Sequence, residues 1–467
     1  MTPTEPRDPA TPDSSGQGLA GPALSVPHPA APRFARSRGW RKRPNIHRAW
    51  IVAGVALLAL VGAAGFGAVP GVLVTPLQEE FGWSRGTISL AVSINLVLYG
   101  VTAPFAAALM ERFGIRRILA GALVLIAVGS GLTLFMTESW QLVLCWGVLV
   151  GLGTGAMALA FVATITGRWF VRHRGLVTGI LTAGGATGRL IFLPLLASLV
   201  VWSGWRAAAL VVTLAALAVV PLVLLVIRNR PEDVGLRPYG VPDDAPVAPA
   251  DAVPTPHPAA GTALGVLAGA VRTRAFWLLA GGFAICGMST NGLIQIHFIP
   301  AAHDHGMAEP VAASLLAAIG ILDIVGTVLS GWLTDRLPAP FLLAMYYALR
   351  GASLLLLPFL LDDTAHPSLL VFIVFYGLDW VATVPPTIAL CRQHFGSAGP
   401  VVFGWVFASH QIGAAIAATS AGVLRDTTGN YVLAFTGAGL LCFVAAALSA
   451  RVGAQPPTRR PSVGSAH

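Results

Sequence analysis

The chain has 467 residues, 55% of them hydrophobic and only 10% charged, with a mean hydropathy of +0.74. A soluble domain carries roughly 25% charged residues, so the composition excludes a water-soluble globular protein and points to a chain embedded in a bilayer. The formal charge of +9 would suit nucleic acid, but its distribution excludes that partner: of the 29 Lys and Arg, three (Arg85, Arg206, Arg425) fall on one side of the predicted spans, two (Arg189, Arg350) lie inside them, and the remaining 24 lie in tails and loops of the other side.

That bias is the positive-inside pattern, and it predicts cytoplasmic termini and a cytoplasmic central loop. Residues 1–32 are rich in Pro, Ala, Ser and Gly and are expected to be disordered. Residues 33–48 form a basic run suited to anchoring beside anionic lipid. Residues 1–47 lack the apolar core of a signal peptide. About twelve apolar runs of roughly 20 residues follow, each long enough to cross a hydrocarbon core of about 30 Å. The first, at 50–75, carries Gly62, Gly65, Gly67, Pro70 and Gly71, and is expected to be bent and closely packed. The second and third, at 87–110 and 118–135, are joined by a tight turn through Glu111 and Arg112. The fourth, at 141–166, contains Gly151, Gly153 and Gly155 inside an apolar run, which reads as close helix packing and not as a phosphate loop. The fifth and sixth, at 176–202 and 207–227, turn at Gly204. Six more spans are predicted at 275–301, 311–333, 341–361, 368–391, 401–424 and 431–451.

The expected organisation is a basic tail (1–48), an N-terminal six-helix half (49–227), a cytoplasmic linker (228–274), a C-terminal half (275–451) and a second tail (452–467). The linker is Pro- and Ala-rich and too long for a hairpin. Cys145, Cys286, Cys391 and Cys442 show neither metal-ligand spacing nor a disulfide framework and read as packing residues. His297, His303 and His305 around Asp304 read as a solvated outer loop. No metal or cofactor is expected.

The two halves repeat. Glu111-Arg112 recurs 224 positions later as Asp335-Arg336, and Gly82 recurs as Gly306. Gly179, Gly188 and Gly204 recur 225 positions later as Gly404, Gly413 and Gly429. Two like-oriented six-helix halves with a site near mid-membrane between them are a transporter architecture.

On these residues the chain resembles the major facilitator superfamily. The superfamily's loop signature is recognisable in Ala107 to Arg117, with Glu111 in the place of its aspartate, and again in Gly331 to Arg336. The resemblance implies an all-α membrane protein with twelve transmembrane helices in two pseudo-symmetric halves, and a conformational switch built on Glu111, Arg112, Arg116, Asp335, Arg336 and Arg174. Ordinary turn capping is the alternative for these residues. Trp169-Phe170-Val171-Arg172-His173-Arg174-Gly175-Leu176, running on to Gly179 and Ala183-Gly184, is similar to the signature of the monocarboxylate transporter branch and its bacterial relatives, as are Leu77 to Gly82 and Arg230 to Leu236. Where that branch carries a first-span lysine this chain has Ala68. Where it carries an eighth-span Asp and Arg, this chain has Asp323 and Thr327.

Charges inside spans are functional candidates by default. Arg189 suits an anionic substrate, because a guanidinium stays charged and grips a carboxylate through two parallel hydrogen bonds; a fixed ion pair with Asp323 or Asp379 is the alternative. Asp323 and Asp379 suit proton carriage, with a pair between Asp323 and Arg350 as the competing role. His410 is a third candidate for proton coupling, since histidine is the side chain suited to exchanging a proton near neutral pH; a core histidine hydrogen-bonded to a neighbouring span is the stronger reading. Asn291 and Tyr346 are candidate neutral ligands for the substrate. No nucleotide loop, catalytic triad or metal motif is present, so a gradient and not ATP is the expected energy source.

The reading that follows is a secondary transporter, not an enzyme, in a bacterial inner membrane. It moves a small organic anion, a monocarboxylate, by alternating access with the proton as coupling ion. Its partners are that anion, the proton and the lipid bilayer. Efflux of an amphipathic drug or metabolite is the alternative cargo reading, and a non-transporting membrane sensor the alternative of another class.

Overall fold

The computed structural model describes residues 47–83, 85–242 and 263–453. The stretch at 1–32, nearly all of the basic run at 33–48, the middle of the linker and the tail beyond 453 lie outside the described residues. Among the described residues, helix is the only regular structure apart from one isolated bridge between Phe170 and Tyr239.

Ten described segments are long and apolar enough to cross a bilayer. One of them, Pro367–Thr428, holds two crossings separated by the short turn Gly396–Ala398, and the first helix, apolar over Arg48–Ala64, completes the twelve. In chain order they are α1 Arg48–Phe81, α2 Arg85–Phe113, α3 Ile115–Thr133, α4 Ser139–Trp169, α5 and α6 as the two arms of Arg174–Val226, α7 Arg274–Asp304, α8 Glu309–Thr334, α9 Ala339–Leu356, α10 Pro367–Asp379 with Val384–Phe395, α11 Gly399–Thr428 and α12 Val432–Ala450. Their outward faces carry large apolar side chains such as Trp202, Phe359 and Phe135, each at least 80% exposed. Water would penalise that surface, whereas hydrocarbon accepts it.

An even number of crossings puts the described ends of the chain and the linker on one face, here called the linker side. The first stretch of the linker is stitched to the α4–α5 turn. Tyr239 donates its N–H to the Trp169 carbonyl (2.8 Å) and accepts from the amides of Val171 and Arg172 (2.9 and 3.1 Å). Its ring lies 5.6 Å from that of Trp50 and 5.4 Å from that of His47.

The repeated landmarks have physical causes. Gly82 and Gly306 follow α1 and α7, and Gly204 and Gly429 mark the α5–α6 and α11–α12 turns; all four have φ between 68° and 87°, where a Cβ is strained. Gly188 and Gly413 let α5 and α11 meet the backbones of α1 and α7 at Val61 and Ala284. Gly179 and Gly404 mediate contact between the halves: a Cβ on Gly404 would stand 2.6 Å from Pro104 Cα, and one on Gly179 would stand 3.2 Å from Val328 Cα. Pro104 and Val328 are themselves 224 positions apart. On the face opposite the linker, Glu80 holds the α5–α6 turn through Arg206 and the Trp205 indole (both 2.6 Å). Asp304, 224 positions on, holds α11 through Arg425 (3.1 Å).

Two helices are interrupted at corresponding places. The first part of α4 ends at Ala156 and the helix restarts at Leu159; α10 breaks between Asp379 and Val384, 223 and 225 positions later. The α4 break is held by its own turns: Met157 donates to Thr154 and Ala158 to Gly155 (3.0 and 3.2 Å). The α10 break has a cause in Pro385 and Pro386, which supply no N–H to the carbonyls of Val381 and Ala382. Neighbouring side chains satisfy the exposed backbone. Arg350 of α9 donates to the carbonyls of Asp379 and Trp380, Ser330 of α8 donates to that of Ala382, and Asp323 of α8 accepts from the Val381 amide (3.0 Å). Arg350 also pairs through Nε with Asp379 Oδ2 at 2.7 Å, and it is 1% exposed.

Two outcomes are expected. Arg350→Met leaves a buried carboxylate and two carbonyls unpaired, which costs about 3–5 kcal/mol, and Arg350→Met with Asp379→Leu recovers the share due to the carboxylate but not that of the carbonyls; thermal unfolding in detergent measures both, and a double variant no more stable than the single contradicts the pairing. Gly404→Leu cannot accommodate Pro104, so spin labels on cysteines placed at Arg117 and Ser397 should report longer distances across the linker side. An unchanged distance distribution in the folded variant contradicts the close approach.

Candidate functional site

The glycines of α5 set where its one mid-span charge points. Gly175 and Gly179 press against α8 of the other half, and Gly184 and Gly188 press against α1 of its own half. Arg189 follows Gly188 directly and is exposed. Among the described residues its guanidinium makes neither a hydrogen bond nor an ion pair. Its charge nevertheless acts on Asp323 of α8 and on Tyr99 of α2, so it stands where the two halves face each other. Asp323 and Tyr99 are 224 positions apart and occupy equivalent places in the repeat. The Tyr99 ring meets Phe407 of α11 edge-on at 5.6 Å.

Asp323 is 4% exposed. Its Oδ1 accepts from the Thr327 hydroxyl (2.8 Å) and the Val381 amide (3.0 Å). Thr327, which stands where the resemblance implies an arginine, thus serves as a hydrogen-bond donor to the acid one turn before it. Arg350 pairs with Asp379 and not with Asp323. All of its donors are engaged: Nε on Asp379, Nη1 on Cys286 Sγ (3.1 Å) and Ser289 Oγ (3.5 Å), and Nη2 on the two α10 carbonyls. Asp379 Oδ1 is buried without a hydrogen-bond partner.

The other candidates are dispersed. Asn291 is half-buried in the wide turn Met288–Ile294 of α7. Tyr346 is buried with Leu342 and Ala382 in the packing of α9 against α10. His410 is 8% exposed, lies between Phe283 and Phe407, and keeps a buried Nδ1 without a partner. Of the outer-loop histidines, His297 is buried and bonds the Ala418 carbonyl (2.9 Å), while Asp304 is taken by Arg425.

Of the switch candidates, one crosses the halves. Asp335 accepts from the amides of Gly175 (2.7 Å) and Leu176 (2.9 Å), so an acid of the C-terminal half caps the first turn of α5 in the N-terminal half. The equivalent cap on α11 would need an N–H at Pro400, 225 positions after Gly175, and proline has none. Glu111 instead pairs within its own half with Arg168 at 2.7 Å. Arg174 donates to the carbonyls of Thr166 and Gly167, Arg336 to that of Trp332, and Arg112 lies over the Phe113 ring. The backbone amide of Arg116 bonds Asn229 Oδ1 (3.2 Å), and its Nε is buried without a partner. Cys286, Ser330 and the Pro385-Pro386 break were not anticipated. The proline pair in an apolar span was the signal available in the sequence.

Residues 55–418 match the family model described as Major Facilitator Superfamily. Monocarboxylate transporter 13 of Rattus norvegicus is 30% identical over 375 residues, which cover 79% of this chain and 80% of that protein. An uncharacterized MFS-type transporter, YcxA, of Bacillus subtilis (strain 168) is 26% identical over 387 residues, 82% of this chain and 88% of that one. The crystal structure of the E. coli fucose:proton symporter FucP superposes with a TM-score of 0.67 at 15% identity, covering 87% of this chain and 100% of that chain. Family match, full-length relatives and shared twelve-helix architecture agree that the chain belongs to the major facilitator superfamily of transporters, in its monocarboxylate transporter branch.

Proposed function

We propose that the protein is a secondary active transporter that carries a small organic anion, a monocarboxylate, across a bacterial inner membrane by alternating access coupled to protons, with both termini cytoplasmic. The observation that carries this reading is Arg189: a cation without a partner among the described residues, at mid-span depth, on the face between the halves. A cation there is expensive unless it meets water or an anion. The arginine buried in α9 is no competitor, since its donors are spent on the α10 break. The names of the curated relatives support a carboxylate as the class of anion, and the charge bias supports the topology.

Asp323 is the proton carrier in this scheme. It feels the Arg189 charge and is free of any ion pair among the described residues, whereas Asp379 is held by Arg350. Asn291 lies in the irregular turn of α7 and supplies a neutral hydrogen bond to the cargo, and His410, packed between the Phe283 and Phe407 rings, is a second group that takes up the coupled proton. Tyr346 acts through the α10 break. The halves rock about the site. With Asp335 on the α5 amides the linker side is closed, and its release opens that side. Glu111, Arg112, Arg116, Arg174 and Arg336 hold the turns that move with it.

In proteoliposomes, Arg189→Gln is expected to raise the half-saturating concentration of a transported monocarboxylate by about 10- to 100-fold, the loss of a charge-assisted pair, with Arg189→Lys intermediate. Unchanged affinity and rate would remove the anion site from α5. Asp323→Asn should abolish accumulation driven by an imposed pH gradient while leaving counterflow of labelled substrate intact. Gradient-driven accumulation in that variant would assign coupling elsewhere.

A further inference from the structure

A cavity of ≈ 340 Å³ lies on the linker side between the halves, walled by α4, α5, α8, α10 and α11. Its size falls at the lower end of small-molecule sites, about 300–1,000 Å³. Two guanidinium groups line it, Arg174 from the N-terminal half and Arg392 from the C-terminal half. Among the described residues neither has a carboxylate partner. Arg174 reaches only the Thr166 and Gly167 carbonyls, at 3.2 and 3.4 Å. Arg392 Nη1 is buried and has no hydrogen-bond partner at all. The acid on the wall, Asp335, has both oxygens committed to the Gly175 and Leu176 amides.

An orphaned, buried, charged donor is costly. Here it stands in a cavity with a second unpaired cation and no free acid, so the missing component is an anion. We propose that this cavity is a second binding station for a small monocarboxylate, on the linker side of the Arg189 site, with Arg392 as its principal ligand and Arg174 as its second cation. It rests on the carboxylate cargo proposed above. A carboxylate leaving Arg189 toward the linker side, or arriving from it, meets here a cation from each half, so occupancy draws on both halves at the point where they must separate.

The arginine reagent phenylglyoxal tests this on the purified full-length protein, with modification of Arg392 followed by peptide mass spectrometry. Acetate, pyruvate and benzoate are each compared with chloride at equal ionic strength, in the wild type and in Arg189→Gln. At least one of the carboxylates is expected to slow modification of Arg392 by about tenfold near saturation, by mass action, and to do so equally in Arg189→Gln. Equal rates with all three carboxylates and chloride overturn the proposal, since the cavity then holds water only. Protection lost in Arg189→Gln also overturns it, because Arg392 would then be reporting occupancy of the central site. If transport is indifferent to Arg189→Gln while Arg392 stays protected, the central-site reading falls and this one stands.

Discussion

A helix interrupted within a hydrocarbon layer exposes peptide groups that lipid cannot satisfy, and each left bare costs several kcal/mol. In α10 the interruption is dictated by Pro385 and Pro386, and the neighbouring helices are built to answer it. Arg350 takes two carbonyls, Ser330 one, and Asp323 the Val381 amide. The ion pair between Arg350 and Asp379 follows from that duty: an arginine brought in to bind carbonyls needs a countercharge, and Asp379 sits at the edge of the break. The charges of the C-terminal half are in the first place the means by which a broken helix survives in the membrane.

The two halves share a backbone plan and differ in how it is filled. The α4 break occupies the place corresponding to the α10 break and closes on its own turns, so that half needs no buried charge there. Its single intramembrane cation, Arg189, is thereby spared structural work and left beside the facing acid Asp323. Near-symmetry of the fold thus carries an asymmetry of charge: the mid-span cation without a partner among the described residues belongs to one half, and the acid on which its charge acts, Asp323, to the other.

Much of this was legible in the sequence. Apolar runs gave the crossings. Glycines spaced 224 and 225 apart marked turns that need positive φ and surfaces that need close approach, which are demands of the backbone that sequence expresses directly. The entry to α5 carried the branch signature. What was not legible was which charge meets which. Asp323, Arg350 and Asp379 all lie at similar depth, and their partners depend on the rotation of each helix about its axis, which the α10 break alters in mid-span. The same rotation takes Tyr346 into the packing of α9 against α10. Pro385-Pro386 announced the break, but a proline pair does not say which side chains come to fill it.

The absent amide of Pro400 has a mechanical consequence. On the α5–α8 edge the closed face is fastened by a carboxylate on two helix-end amides. On the α2–α11 edge, Gly404 rests on Pro104 and Tyr99 on Phe407, with no such fastening among the described residues. In the rocking motion proposed above, a closure hasped along one edge would not lift evenly: the unfastened edge would yield first and the fastened edge become the pivot, so the opening would carry a twist that the near-symmetry of the two halves does not by itself impose.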